Sequence, residues 1–262
     1  SASKSTNYMN ISNKKLNQSV FLILSLFLFA NCKNNSNSKV EKNKTEKPNE
    51  GEKIRISETK VLNIPEDYVP KGFVIFEKIK GDLNMDGQED LVFIIKDTQK
   101  SNIIKDEYKG KQDRNRRGIL VIIKNNDDYE LLVKNTTCFS SELEDGGVYF
   151  PPDLWLEIKK GKLLVNYSHG RYGYWSYMFR LQNSDLELIG YENSSNYGPI
   201  VSSKMSINFL TKVKIESRNV NQDEEIIEGE EIFEETKSKI KLKNLIKLSE
   251  IVDFDELDMS EI

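Results

Sequence analysis

Histidine is almost missing from this 262-residue chain, which has one, His169. Cysteine is nearly as scarce, with Cys32 and Cys138 alone. Two cysteines cannot build a disulfide framework, and one histidine beside them cannot complete a tetrahedral zinc site. A Ser/His/Asp or Cys/His catalytic set would have to use His169, which stands in "YSHGRYG", a turn-like setting with no nucleophile motif beside it. Cys138, in "NTTCFS", reads as a small buried residue. Basic charge is not in excess either: 38 Lys and Arg face 42 Asp and Glu, a formal net charge of −4. The lysines are interspersed with acids, so the basic stripe by which proteins hold nucleic acid is absent from the sequence. No apolar run is long enough to cross a bilayer comfortably as a helix. The longest, "SVFLILSLFLFA" near the start, has the length of a signal-peptide core.

That run follows Met9 and the basic pair Lys14 and Lys15, and it ends at Ala30, Asn31 and Cys32. The order basic, apolar, small residue, cysteine resembles a bacterial lipoprotein signal. The resemblance implies cleavage before Cys32, a lipid on that cysteine, and a place in the bacterial cell envelope, anchored to the membrane. A periplasm-facing outer-membrane location is the expectation, with the cell surface as the alternative. Residues 1–31 then form the signal peptide, with 1–8 an upstream extension of it. Residues 32–53, including "KNNSNSKVEKNKTEKPNEGEK", bury too little to repay chain entropy and read as a disordered tether. Without the signal, 35 basic side chains face 42 acidic ones, net −7. The chain is expected to be a monomer.

Residues 54–262 read as a β-rich domain. Short runs rich in Val, Ile, Phe and Tyr, bounded by Gly, Asn and Asp, predict strands at 73–79, 91–96, 118–124, 129–133, 154–159, 163–168, 174–182, 186–191, 205–211 and 213–217. Several are joined by hairpin-sized polar turns. In "MSINFLT", Met205, Ile207 and Phe209 face one way and Ser206, Asn208 and Leu210 the other. "EGEEIFEETKSKI" predicts one carboxy-terminal helix, with Ile232, Phe233, Thr236 and Ile240 on one side. "KNLIKLSEI" predicts a last strand, and an acidic tail follows from Asp253. The fold class is mainly β, antiparallel, either propeller-like or a compact multi-sheet domain, with one C-terminal helix.

The chemistry concentrates in "GDLNMDGQEDLVFIIK". Asp82, Asn84, Asp86, Gln88 and Asp90 fall at alternate positions of a loop, with Gly87 supplying the bend. This is the spacing a hard, oxygen-ligated cation needs, position 7 (Gln88) contributing its backbone carbonyl. Three carboxylates gathered this closely repel one another unless a cation joins them. An EF-hand would place a Glu where Phe93 stands and a helix where "LVFII" begins, so this is not one. The stretch resembles the calcium loop of FG-GAP and VCBS-type repeats, which sits between two strands of a β-propeller blade. That resemblance implies Asp82, Asn84, Asp86 and Asp90 as side-chain ligands and Ca2+ as the cofactor, in a structural role. No second loop matches; "NVNQDEE", from Asn219, has the polar spacing without the glycine.

A second feature is "YSHGRYGYWSYMFR". As a hairpin turning at "HGRYG", it directs Trp175, Tyr177, Phe179 and Leu181 to one face and Tyr174, Ser176, Met178 and Arg180 to the other. Tyr167, Tyr172 and Tyr174, exposed near the turn with His169 and Arg171, are the candidate contact residues for a protein or glycan partner. Asp127 with Asp128, or Glu142 with Glu144, are the carboxylate pairs a glycosidase reading would use. The expectation is a membrane-anchored, non-enzymatic binding or structural module held by one calcium ion. The alternatives are an envelope hydrolase with carboxylates in a cleft, or a metal-free partner-binding or inhibitor protein using the aromatic hairpin.

Overall fold

The computed structural model describes residues 61–107, 109–143, 151–222 and 225–262. The expected signal and tether, with Cys32, and Glu144 lie outside the described residues. Strands run as β1 (Val61–Leu62), β2 (Phe73–Gly81), β3 (Asp90–Asp97), β4 (Ile103–Asp106), β5 (Gly110–Asp113), β6 (Arg117–Asn125) and β7 (Asp128–Phe139). They continue as β8 (Asp153–Ile158), β9 (Lys162–Ser168), β10 (Gly173–Gln182), β11 (Asp185–Tyr197), β12 (Ile200–Asn208), β13 (Val213–Asn219) and β14 (Phe233–Lys239). All pairings are antiparallel. One sheet has the order β1-β7-β6-β3-β2, and β4 and β5 pair with each other as a ribbon between β3 and β6. The other sheet is a seven-stranded meander in which β8 to β14 lie side by side in chain order.

Of the two architectures expected, the compact multi-sheet domain is the one found. A propeller closes by repeating small sheets around an axis; here seven consecutive strands stay in one sheet, so the propeller expectation is corrected.

Strands β3 and β6 explain the two densest apolar runs of the sequence. Val92 and Ile94, with Ile119 and Val121, enter the main core, where residues of the seven-stranded sheet such as Leu163, Val165 and Phe179 join them. Leu91, Phe93 and Ile95, with Leu120 and Ile122, point to the opposite face and are covered by Tyr68, Val69, Phe73 and Ile75. Both faces are thus dry, which is why "LVFII" and "ILVII" show no alternation. Each such side chain, fully buried, contributes about 1.5–3 kcal/mol.

The carboxy-terminal expectations are corrected. Phe233–Lys239 is strand β14, not a helix, paired with β13 from Val213↔Lys239 to Asn219↔Phe233. The edge of β13 offers unpaired backbone groups that only a strand satisfies, and this outweighs the helical spacing of Ile232, Phe233, Thr236 and Ile240. The charged side chains of β14 then serve as a solvated sheet edge. "KNLIKLSEI" is not a strand: it makes one bridge, Glu187↔Lys247, and a 3-10 turn at Leu248–Glu250. Strand β11 is paired with β12 only from Gly190 onward, so just the short start of β11 is open to it. The acidic tail is core as well, because Phe254 and Met259 are buried and Phe254 stacks on Phe139 at 5.0 Å. Asn135 Nδ2 donates to the carbonyls of Leu248 and Ile251 at 3.0 and 2.6 Å, and Phe254 N–H donates to Cys138 O at 3.0 Å.

Candidate metal centre and aromatic clefts

The Asp82–Asp90 loop closes the β2/β3 hairpin, whose last pair is Gly81↔Asp90. Gly87, at φ 85°, takes a left-handed turn that glycine adopts without steric cost. Met85, at φ 61°, takes one too, and its side chain lies so close to Gly161 in the β8/β9 turn that a Cβ there would stand 2.7 Å from Met85 Cγ. Leu83 is buried in the main core, and a Cβ on Gly81 would meet Ile158 Cγ2 at 2.6 Å. The loop is therefore a clip across both sheets: it leaves one sheet at β2, plugs the core with Leu83, and lies against β8 and the turn after it.

Amide donors organise its carboxylates. Asp82 Oδ1 accepts from Asp86 N–H at 3.1 Å and Asp82 Oδ2 from Gly87 N–H at 2.8 Å. Asn84 Oδ1 shares the Asp86 N–H, also at 3.1 Å, so the Asp82 and Asn84 oxygens stand side by side around one donor. Asp86 Oδ1 accepts from Gln88 N–H at 2.7 Å, and Oδ2 accepts from the Asn84 and Gln88 side-chain amides at 2.9 and 3.2 Å. These bonds, the Gln88 N–H foremost, hold the Asp86 carboxyl below its ordinary range. The repulsion expected among the three acids is thus largely answered by dipoles, although the Asp86 charge still raises the neighbouring Asp90.

Asp90 is different. It is 0% exposed, and its oxygens are taken by Leu83 N–H at 2.8 Å and Lys124 N–H at 2.9 Å. Burial pushes its carboxyl up, against the downward pull of the Lys124, Leu83 and Asn84 amides. Gln88 Oε1 accepts from Asn126 N–H at 3.0 Å in the β6/β7 turn. Asp90 and Gln88 therefore moor the loop to β6 and the turn after it.

The donor set fits a hard cation in kind: it is all oxygen, and both Asp82 carboxylate oxygens and Asp86 Oδ1 keep a second lone pair after accepting one amide, whereas Asp86 Oδ2 accepts two. Among the described residues no three His, Cys, Asp or Glu side chains already converge as a finished cage. An ion would compete with loop amides for the oxygens of Asp82, Asn84 and Asp86.

The aromatic hairpin forms as expected, with Ser168 opposite Tyr174 and a 3-10 turn at Gly170–Tyr172. Tyr172 and Tyr174 are 41% and 46% exposed. The Arg171 guanidinium lies 5.4 Å from the Tyr172 ring centre and the His169 ring 5.6 Å. His169, Arg171 and Tyr172 border a cleft of about 710 Å³ that also takes in Glu142, Asp153 and Ser168. Glu142 is ion-paired with Lys96, which also pairs with Asp113 at 3.0 Å.

Tyr167 does not belong to this surface. It is 2% exposed, because the two-residue period that buries Leu163 and Val165 buries it as well, and it stacks on Trp175 at 5.2 Å. It lines a second cleft, of about 280 Å³, beneath the C-terminal segment. Trp155, which the sequence reading does not single out, is 43% exposed on the outer face, opposite Asn166, itself opposite Ser176. The alternation in "LWLEI", with Leu154 and Leu156 inward, carried that signal. Asp127 and Asp128 lie at the β6/β7 turn, Asp127 exposed and Asp128 half-buried. Cys138 is buried, and burial pushes its thiol far above the ordinary range. Comparison with family models, curated proteins and solved structures finds no match for the chain.

Proposed function

We propose that the protein is an exported, lipid-anchored, non-enzymatic binding or structural module whose two sheets are fastened by a calcium ion in the Asp82–Asp90 loop. One observation carries this reading: Asp82 Oδ1 and Asn84 Oδ1 stand around a single amide, on a loop that touches both sheets. Calcium would be held by Asp82, Asn84 and Asp86, with Asp90 and Gln88 fixing the frame, and its part is charge neutralisation and cross-linking. Binding to the folded chain alone adds its free energy to folding. Isothermal titration with calcium is expected to give one site with Kd on the order of 10⁻⁴ M, within the range of extracellular modules. Asp86→Ala should remove the heat; one that retains it contradicts the site. For the anchor, Cys32→Ser should move the protein from the membrane fraction to the soluble one, and persistent membrane association would count against lipidation.

A hydrolase is the second reading, favoured by the presence of Glu142 and Asp153 in the cleft beside His169. It predicts glycan turnover that disappears in both Glu142→Gln and Asp153→Asn. Glycan or protein binding without turnover, weakened by Arg171→Ala or Tyr172→Ala, supports the binding module instead.

A further inference from the structure

Strand β14 ends the seven-stranded sheet, and no described strand pairs with its outer edge. Glu234 to Lys239 are all exposed. The ladder shows which backbone groups stay open. Ile240 N–H donates to Lys212 O and Val220 N–H to Ile232 O, at the two ends of the β13/β14 register. Bonded pairs recur at every second residue of an antiparallel ladder, so Glu234, Thr236 and Ser238 turn their amides and carbonyls to β13. Phe233, Glu235, Lys237 and Lys239 turn theirs outward, where they have no backbone partner among the described residues.

The order of charge along this edge decides what fits it. Charged side chains keep foreign strands off a sheet edge. Here they are sorted, with Glu234 and Glu235 first and Lys237 and Lys239 after. A strand sorted in this way is complementary to itself when reversed. With two copies antiparallel about Thr236, the outward groups of Phe233 and Glu235 meet those of Lys239 and Lys237 in the second copy, and Glu235 faces Lys237 on both sides of the axis. Directly facing opposite charges attract and like charges repel. Slipping by two residues, the smallest slip that keeps outward groups facing, sets Glu235 against Glu235 or Lys237 against Lys237. A parallel arrangement in register sets every charge beside its own copy. Neither Glu235 nor Lys237 has an ion-pair partner among the described residues, and Glu235 accepts only from Ser217 Oγ, at 3.3 Å.

We propose that β14 is a self-association edge, at which a second copy of this chain pairs antiparallel about a two-fold axis at Thr236 and joins the two seven-stranded sheets into one. The chain is then a dimer in place of the monomer expected from the sequence. One strand on each side makes a small interface, so the dimer is weak, with Kd on the order of 10⁻⁵ M. The proposal does not depend on the calcium loop.

The test is sedimentation equilibrium of the full-length chain carrying Cys32→Ser, so that neither a lipid nor a disulfide at that position joins copies. At about 0.2 mM, roughly twentyfold above Kd, this parent is expected to be mostly dimer. Glu235→Lys and Lys237→Glu each bring like charges together at both facing pairs, and each should weaken the dimer at least about tenfold. Mixed in equal amounts, the two variants meet acid to base again at both pairs and should regain the parent's affinity. Both positions are exposed, so both variants keep the fold, and recovery in the mixture requires it. A parent that stays monomeric at this concentration, a single variant that dimerises as tightly as the parent, or a mixture no tighter than its components would each overturn the proposal.

Discussion

Replacing Asp90 by alanine is expected to lower the unfolding free energy by about 3 kcal/mol in calcium-free buffer, a loss that comes from the buried hydrogen bonds alone. The carboxylate is fully buried and is the acceptor for the Leu83 and Lys124 amides, which come from the loop and from β6. Alanine would strand both donors, each costing about 1–3 kcal/mol when left dry. Asp86→Ala is the contrast. Its carboxylate is exposed and bonded only within the loop, so in the same buffer the cost should stay below about 1 kcal/mol. Urea denaturation of the two variants without calcium measures both. Equal, small losses would contradict the separation of an anchoring Asp90 from the outer oxygens.

Phe254→Ala is expected to cost about 4 kcal/mol, the middle of the range for a deleted buried aromatic. The ring is 2% exposed, stacks on Phe139 of β7 and meets Tyr177 and Phe179 of β10 edge-on. It thus ties the C-terminal segment to both sheets. Deleting residues 251–262 would also remove Ile251 and Met259 from the core and is expected to prevent folding. A stable, cooperative truncated protein would show that this segment is dispensable. Denaturant midpoints and hydrogen exchange report either result.

The strands were legible because their signals are local. Residues 73–79, 91–96, 118–124 and 163–168 are read from their own apolar pattern, and the structure places β2, β3, β6 and β9 on them. What escaped depended on neighbours. "FEETKSK" has helical acids and spacing, yet β13 presents an open edge that makes it β14. Phe254 and Met259 sit among acids, and only their packing into the main core buries them. In the loop, alternation and Gly87 disclosed the oxygen set, but the split between mooring Asp90 and outer Asp82, Asn84 and Asp86 required knowing that Lys124 lies beside it. Closeness to a turn suggests an exposed Tyr167, whereas strand parity with Leu163 and Val165 buries it.

The calcium clip is tested most directly by unfolding the wild-type protein and Asp86→Ala in urea, each with chelator and with calcium at about a hundredfold excess over Kd. Wild type should gain about 2.7 kcal/mol from saturating one site, with Asp86→Ala gaining none. A wild-type midpoint that calcium leaves unmoved would contradict the clip and leave the loop as a hairpin closed by its own amides.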